Sequence, residues 1–189
     1  MREVTTDVLN GIKDGSIKKK GFFFFGAPGV GKTYEAEEIA KVHRANPDFV
    51  YDWQRERSVI TLDCAKDLKK LDEMVFTNVN TGDKYSMYQR LVDDRPGGNN
   101  QSLLVIDDLA PEFIVNKFER RNLYVIIDHY WKNNLPLVIT SNLSIDELAA
   151  HETLGERFVS RINGACNIIR IDGDDLRGSD IYGNLSSVW

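Results

Sequence analysis

Short apolar runs alternate along this chain with stripes at helical spacing, the pattern of strands joined by helices. Val8, Leu9 and Ile12 mark a short amphipathic helix that stops at Gly15. Phe22 to Phe25 is an unbroken aromatic run, as expected of a parallel strand covered on both faces. Ala36, Ile39, Ala40 and His43 then recur at i, i+3, i+4 and i+7, which predicts a helix packed on that strand. Val59-Ile60-Thr61-Leu62 reads as a second strand, followed by a helix from Ala65 to Met74 with Lys66, Lys69 and Lys70 on its polar side. From Thr77 to Gln101 the chain turns polar around a short pattern, Tyr85 to Val92, and closes on Pro96-Gly97-Gly98-Asn99-Asn100. This predicts a loop-rich insertion or edge.

Leu103-Leu104-Val105-Ile106 is a third strand, and Leu123, Ile126, Ile127, Tyr130 and Trp131 form a helical stripe for core packing. Pro136 to Thr140 is the fourth strand. Capping boxes at Ser144-Ile145-Asp146-Glu147 and Thr153-Leu154-Gly155-Glu156 predict two short helices. On the second, Leu154, Phe158 and Ile162 share an inner face, while Arg157 and Arg161 project together about a quarter turn away. Asn167 to Asp172 is the last strand, and Gly173 to Trp189 a polar tail.

Composition narrows the class. With 189 residues, 42% hydrophobic and 28% charged, the expectation is one soluble α/β domain over 1–189, with 1–20 as a lead-in too short for an N-terminal domain. No apolar run approaches the ~20 residues that span a bilayer, and the polar start lacks a signal-peptide core. A cytoplasmic protein without a membrane partner is expected. The net charge of −5 argues against a uniformly basic nucleic-acid coat and leaves room for a local basic groove. Cys64 and Cys166 read as buried free thiols, and His43, His129 and His151 lack metal-ligand spacing. Lys18-Lys19-Lys20 reads as a solvated approach to the first strand.

The candidate chemistry lies directly after the phenylalanine run. Gly26-Ala27-Pro28-Gly29-Val30-Gly31-Lys32-Thr33 is a G-x-x-x-x-G-K-T phosphate-binding loop between a strand and a helix. The glycines let backbone N–H groups approach phosphates, the Lys32 ammonium suits the β and γ phosphates, and the Thr33 hydroxyl suits Mg²⁺. The helix beginning there adds its positive dipole end. Asp107 and Asp108 end the third strand, at the sheet edge where an open parallel sheet binds ligands. Asp107 there suits Mg²⁺ through water, and Asp108 suits a water-orienting carboxylate. Asn142, at the tip of the next strand, is level with them.

These pieces resemble the DnaC and IstB branch of the AAA+ ATPases, helicase loaders and transposition helpers, over roughly 18–177. The residues that carry the resemblance are the loop, Leu104-Val105-Ile106-Asp107-Asp108-Leu109, Leu135 to Leu143, and Gly155-Glu156-Arg157-Phe158-Val159-Ser160-Arg161-Ile162. The resemblance implies a P-loop three-layer α/β/α sandwich with strand order 5-1-4-3-2; the sequence departs from the family's pattern in that no clear lid domain follows Arg161. It implies ATP and Mg²⁺ as cofactors and Asn142 as a γ-phosphate sensor. It implies Arg161 as an arginine finger supplied in trans, with Arg157 assisting. Asp108 stands where the usual pair has glutamate, a shorter carboxylate that implies slow turnover. The expected partners are single-stranded DNA, a replicative helicase or transposase, and further copies of the chain, with Lys66, Lys69 and Lys70 as candidate DNA contacts. An assembly adaptor with little hydrolysis and a small-molecule nucleotide kinase are the alternatives.

Overall fold

The computed structural model describes residues 1–45, 59–71, 73, 75–77, 84–92 and 102–176. Helix α1 (Glu3–Asp14) ends at Gly15, whose left-handed φ of 83° closes it, and its Val8, Leu9 and Ile12 pack on the sheet. Strand β1 (Gly21–Phe25) leads through the glycine loop into α2 (Lys32–Ala45). Strand β2 (Val59–Asp63) runs into α3 (Cys64–Asp67), which Asp63 starts by accepting the N–H groups of Ala65 and Lys66.

The helix expected over Ala65 to Met74 is therefore shorter. After α3 the chain tightens into a 3₁₀ turn at Leu68–Lys70, which sends Leu68 and Leu71 into the core, and Met74 lies outside the described residues. The region expected to be loop-rich contains an antiparallel hairpin, β3 (Val75–Thr77) with β4 (Lys84–Ser86), then α4 (Met87–Leu91). A reciprocal capping box between Ser86 and Gln89 starts α4, a signal present in the sequence and passed over. The Pro96 to Asn100 stretch lies outside the described residues, as does the tail beyond Leu176.

Strand β5 (Leu103–Asp107) is followed by α5 (Lys117–Lys132), β6 (Leu137–Ser141), α6 (Ile145–Ala150), α7 (Gly155–Ala165) and β7 (Cys166–Arg170). The Ser144 box caps α6 as expected. The Thr153 box does not form. Leu154 is drawn into the core and Gly155 turns with φ 73°, so Thr153 leaves the cap position and its N–H donates to His151 Nδ1 at 3.2 Å. The lysine triplet is exposed, as expected, and Lys19 Nζ donates to Asn163 O at 2.7 Å, near the negative dipole end of α7.

Five parallel strands pair in the order β2-β5-β6-β1-β7, which is the expected 5-1-4-3-2 read from the other edge. Alternation along the strands builds one core on each face of the sheet. Phe22, Phe24, Leu103, Val105 and Val138 pack with α1 and α2. Phe23, Leu104, Ile106, Leu137 and Ile139 pack with α5, α6 and α7. Helices on both faces make the three layers. Among the described residues no helix is long and apolar enough to cross a membrane.

Candidate nucleotide site

Register puts the chemistry at one edge. Phe25 lies opposite Ser141, and Asp63 opposite Asp107, so the glycine loop, the Asp107-Asp108 pair and Asn142 leave the sheet side by side. A cleft of about 580 Å³ collects Pro28, Gly29, Gly31, Lys32, Thr33, Asp63, Asp107, Asp108, Thr140 and Asn142. Ala27 belongs to the same turn, and Val30 points into the core beneath it.

The loop needs glycine for two different reasons. Gly29 and Gly31 have φ of 82° and 96°, which side chains disfavour. At Gly26 a Cβ would lie 2.2 Å from the Ile171 carbonyl oxygen, so close passage of the next strand's exit excludes any side chain. Lys32 Nζ donates to the carbonyls of Gly26 and Ala27 at 2.9 and 2.8 Å, holding the ammonium across the loop.

Opposite the loop, Asp107 Oδ1 accepts from Thr33 Oγ1 at 3.1 Å and from Thr140 Oγ1 at 2.6 Å. Thr140, fully buried, also accepts the Asp108 N–H at 2.9 Å and so fixes both carboxylate residues. Asp108 adopts φ 54°, a left-handed conformation that aspartate tolerates at a turn. Asn142 Nδ2 donates to Asp108 Oδ1 at 3.1 Å. Burial and the neighbouring Asp107 push the Asp108 carboxyl above its ordinary range, against the pull of Lys32. Thr33 and Asp107 bring two hard oxygen donors side by side, the donor type Mg²⁺ takes, and would hold that ion together with water.

Five of the expected residues lie elsewhere or differently. Arg157 and Arg161 are outside the cleft, on α7 against α5. Arg157 is exposed, over the Tyr124 ring at 5.4 Å. Arg161 Nε lies 2.6 Å from Asp128 Oδ1, with its guanidinium 4.3 Å from the centre of Trp131. Burial opposes ionisation of Asp128, but Lys132 and Arg161 together hold its carboxyl below the usual range. Lys66 pairs with Asp63 at the rim of the nucleotide cleft, while Lys69 and Lys70 are exposed on the 3₁₀ turn.

Sequence reasoning passed over Thr140 and Arg2. Thr140 looked like one more β-branched strand residue, and only the register of β5 against β6 reveals its partners. Arg2 donates to the carbonyls of Val30 and Asp172, both at 2.9 Å, tying the chain start to the loop and to the exit of β7. Its backbone N–H donates to the buried Glu35 carboxylate of α2. The two cysteines are buried free thiols as expected, and burial raises both. Among the described residues no cluster of His, Cys, Asp and Glu has metal-site geometry.

No family model matches the chain, and no curated protein matches it by sequence. Solved structures do match in fold. The DnaC helicase loader superposes with a TM-score of 0.61 and 23% identity, over 90% of this chain and 92% of that one. DnaI superposes at 0.54 with 24% identity, over 89% and 84%. AMPPCP-bound DnaA from Aquifex aeolicus superposes at 0.58 with 16% identity, over 94% of this chain and 50% of that one. The chain therefore shares the parallel α/β fold of these three structures.

Proposed function

We propose that this protein is one AAA+ module that binds and slowly hydrolyses ATP as a switch in DNA replication, in the manner of a helicase loader. The observation that carries the reading is the convergence of Lys32, Thr33, Asp107, Asp108 and Asn142 in one cleft at the end of a parallel sheet. The likeness in fold to DnaC and DnaI supports the loader role, and AMPPCP in the DnaA structure supports a nucleotide here.

On binding ATP, Lys32 exchanges its two loop carbonyls for phosphate oxygens, and the loop N–H groups hold the chain of phosphates. Mg²⁺, held by Thr33 and by Asp107 through water, would supply charge neutralisation at the β and γ phosphates. Asp108 orients a water for in-line attack, and Asn142, bonded to that carboxylate, senses whether the γ-phosphate is in place. Arg161 and Arg157 then act on ATP held by a neighbouring copy, so turnover rises with assembly; fingers of this kind are worth roughly 10³ to 10⁵ in rate. Single-stranded DNA and a replicative helicase or transposase are the partners this reading carries, with Lys66, Lys69 and Lys70 as DNA contacts.

Steady-state ATP turnover against protein concentration, with and without single-stranded DNA, tests the reading. The rate per subunit is expected to rise with both, and Lys32→Ala to abolish it. Tight nucleotide binding with a flat, negligible rate would instead favour the assembly adaptor, which the raised Asp108 carboxyl and its shorter reach support. Transfer of phosphate to AMP or dTMP would overturn both in favour of a nucleotide kinase.

A further inference from the structure

Arg161 is not free to leave its own subunit. Asp128, one helix away on α5, lies 2.6 Å from its Nε, and the Trp131 ring, one turn further along α5, has its centre 4.3 Å from the guanidinium carbon. Tyr124 completes the enclosure, and only a quarter of the arginine side chain remains exposed. Trp131 is itself held, because its indole fits over Gly164 of α7, where a Cβ would lie 2.2 Å from Nε1. Asp128 is shared, its other oxygen lying 2.6 Å from Lys132 Nζ.

The Arg161–Asp128 contact is close yet poorly aligned. The Arg161 Nε and Asp128 Oδ1 atoms are buried, and neither completes a well-directed hydrogen bond. A misaligned pair keeps its Coulomb attraction and forgoes the added strength of a straight charge-assisted bond. Such a contact holds a side chain in place and still lets a stronger anion take it. A nucleotide γ-phosphate is such an anion, with more charge and three oxygens in reach of a guanidinium fork.

We propose that Asp128 and Trp131 form a latch that holds Arg161 within its own subunit until assembly brings a neighbour's ATP close enough to take it. The inference rests on the reading of Arg161 as an arginine supplied in trans. The latch makes Asp128 a positioning residue that sets how much assembly is needed before hydrolysis starts. Arg157, exposed four residues earlier on the same helix, has no such latch to break and makes first contact.

ATP turnover measured against protein concentration tests this with four variants. Asp128→Asn removes the charge at constant shape and is expected to lower the concentration for half-maximal turnover about fivefold, the upper end of the range for a surface ion pair and a lower bound for this partly buried one. Lys132→Ala breaks the other half of the Asp128 pairing and is expected to leave that concentration within twofold of the wild type. Trp131→Leu, which removes the aromatic platform, is expected to shift it in the same direction as Asp128→Asn, and it serves should the aspartate variant fold poorly. Arg161→Ala is the reference: retained ATP affinity with lost concentration dependence supports the trans reading, and unchanged turnover overturns that reading itself. Loss in Arg161→Ala together with no shift in either Asp128→Asn or Trp131→Leu overturns the latch alone. Trp131 emission, read in a Trp53→Phe/Trp189→Phe background, adds a readout independent of turnover. It is expected to change on ATP-dependent assembly, and a constant signal across assembly overturns the latch.

Discussion

Thr140 is the residue on which the two aspartates depend. Its hydroxyl bonds Asp107 and receives the Asp108 N–H, so one buried oxygen sets where both carboxylates stand. Thr140→Val keeps the shape and removes both bonds. By the usual effect of losing a partner behind a metal or catalytic ligand, turnover should fall about 10–100-fold. ATP affinity, measured by titration of a fluorescent analogue, should change by much less, and Thr140→Ser should restore most of the rate. Asp108 gives a second residue-scale prediction. Its carboxyl is raised in the folded protein, so ionising it costs stability: the favourable contribution is present below the unfolded value and is lost as pH rises through the folded one. Asp108→Asn should therefore melt higher than the wild type at pH 7, with the gain shrinking as pH falls toward about 4. The same variant should bind ATP and not hydrolyse it. Thermal melts across that range, with single-turnover assays at pH 7, check both halves.

At the scale of elements, helix starts were legible where capping was purely local. Ser144 and Glu147 sit three residues apart and need nothing from the rest of the fold, and α6 begins there. Ser144→Ala should cost about 1 kcal/mol, read from the midpoint of denaturant unfolding with an unchanged slope. Thr153 carried the same pattern and failed, because burying Leu154 decides how the chain enters α7 and the left-handed Gly155 follows from that. The hairpin β3–β4 escaped notice because three-residue strands carry too little alternation to show as a period. Long stripes fared better. The Ala36, Ile39, Ala40 and His43 face of α2 and the Leu123 to Tyr130 face of α5 are buried where their spacing puts them.

The whole molecule ties its first residues to its glycine loop. The segment before β1, read as a lead-in that carries a short helix, forms α1 on the sheet, and Arg2 joins the Val30 and Asp172 carbonyls beneath the loop. Arg2→Ala should lower stability by about 1–2 kcal/mol, the scale of lost hydrogen bonds from a partly buried charged group. It should also speed amide exchange in the loop, measured by hydrogen–deuterium exchange, more than in β5 or β6. Equal acceleration in all three would mean global destabilisation and no special tie to the loop.

The sequence by itself determined the phosphate loop, the Asp107-Asp108 pair at a strand end, the long amphipathic helices and, through the family these motifs resemble, the order of the sheet. Each of these rests on residues adjacent in the chain or spaced by one helical or strand period, so local physics suffices to read them. Only the tertiary structure decided that Thr140 orients the aspartates, that Arg2 braces the loop and that Asp128 and Trp131 hold Arg161. Those partners lie tens of residues or more than a hundred apart, and strand register and helix packing, which no local spacing encodes, bring them together.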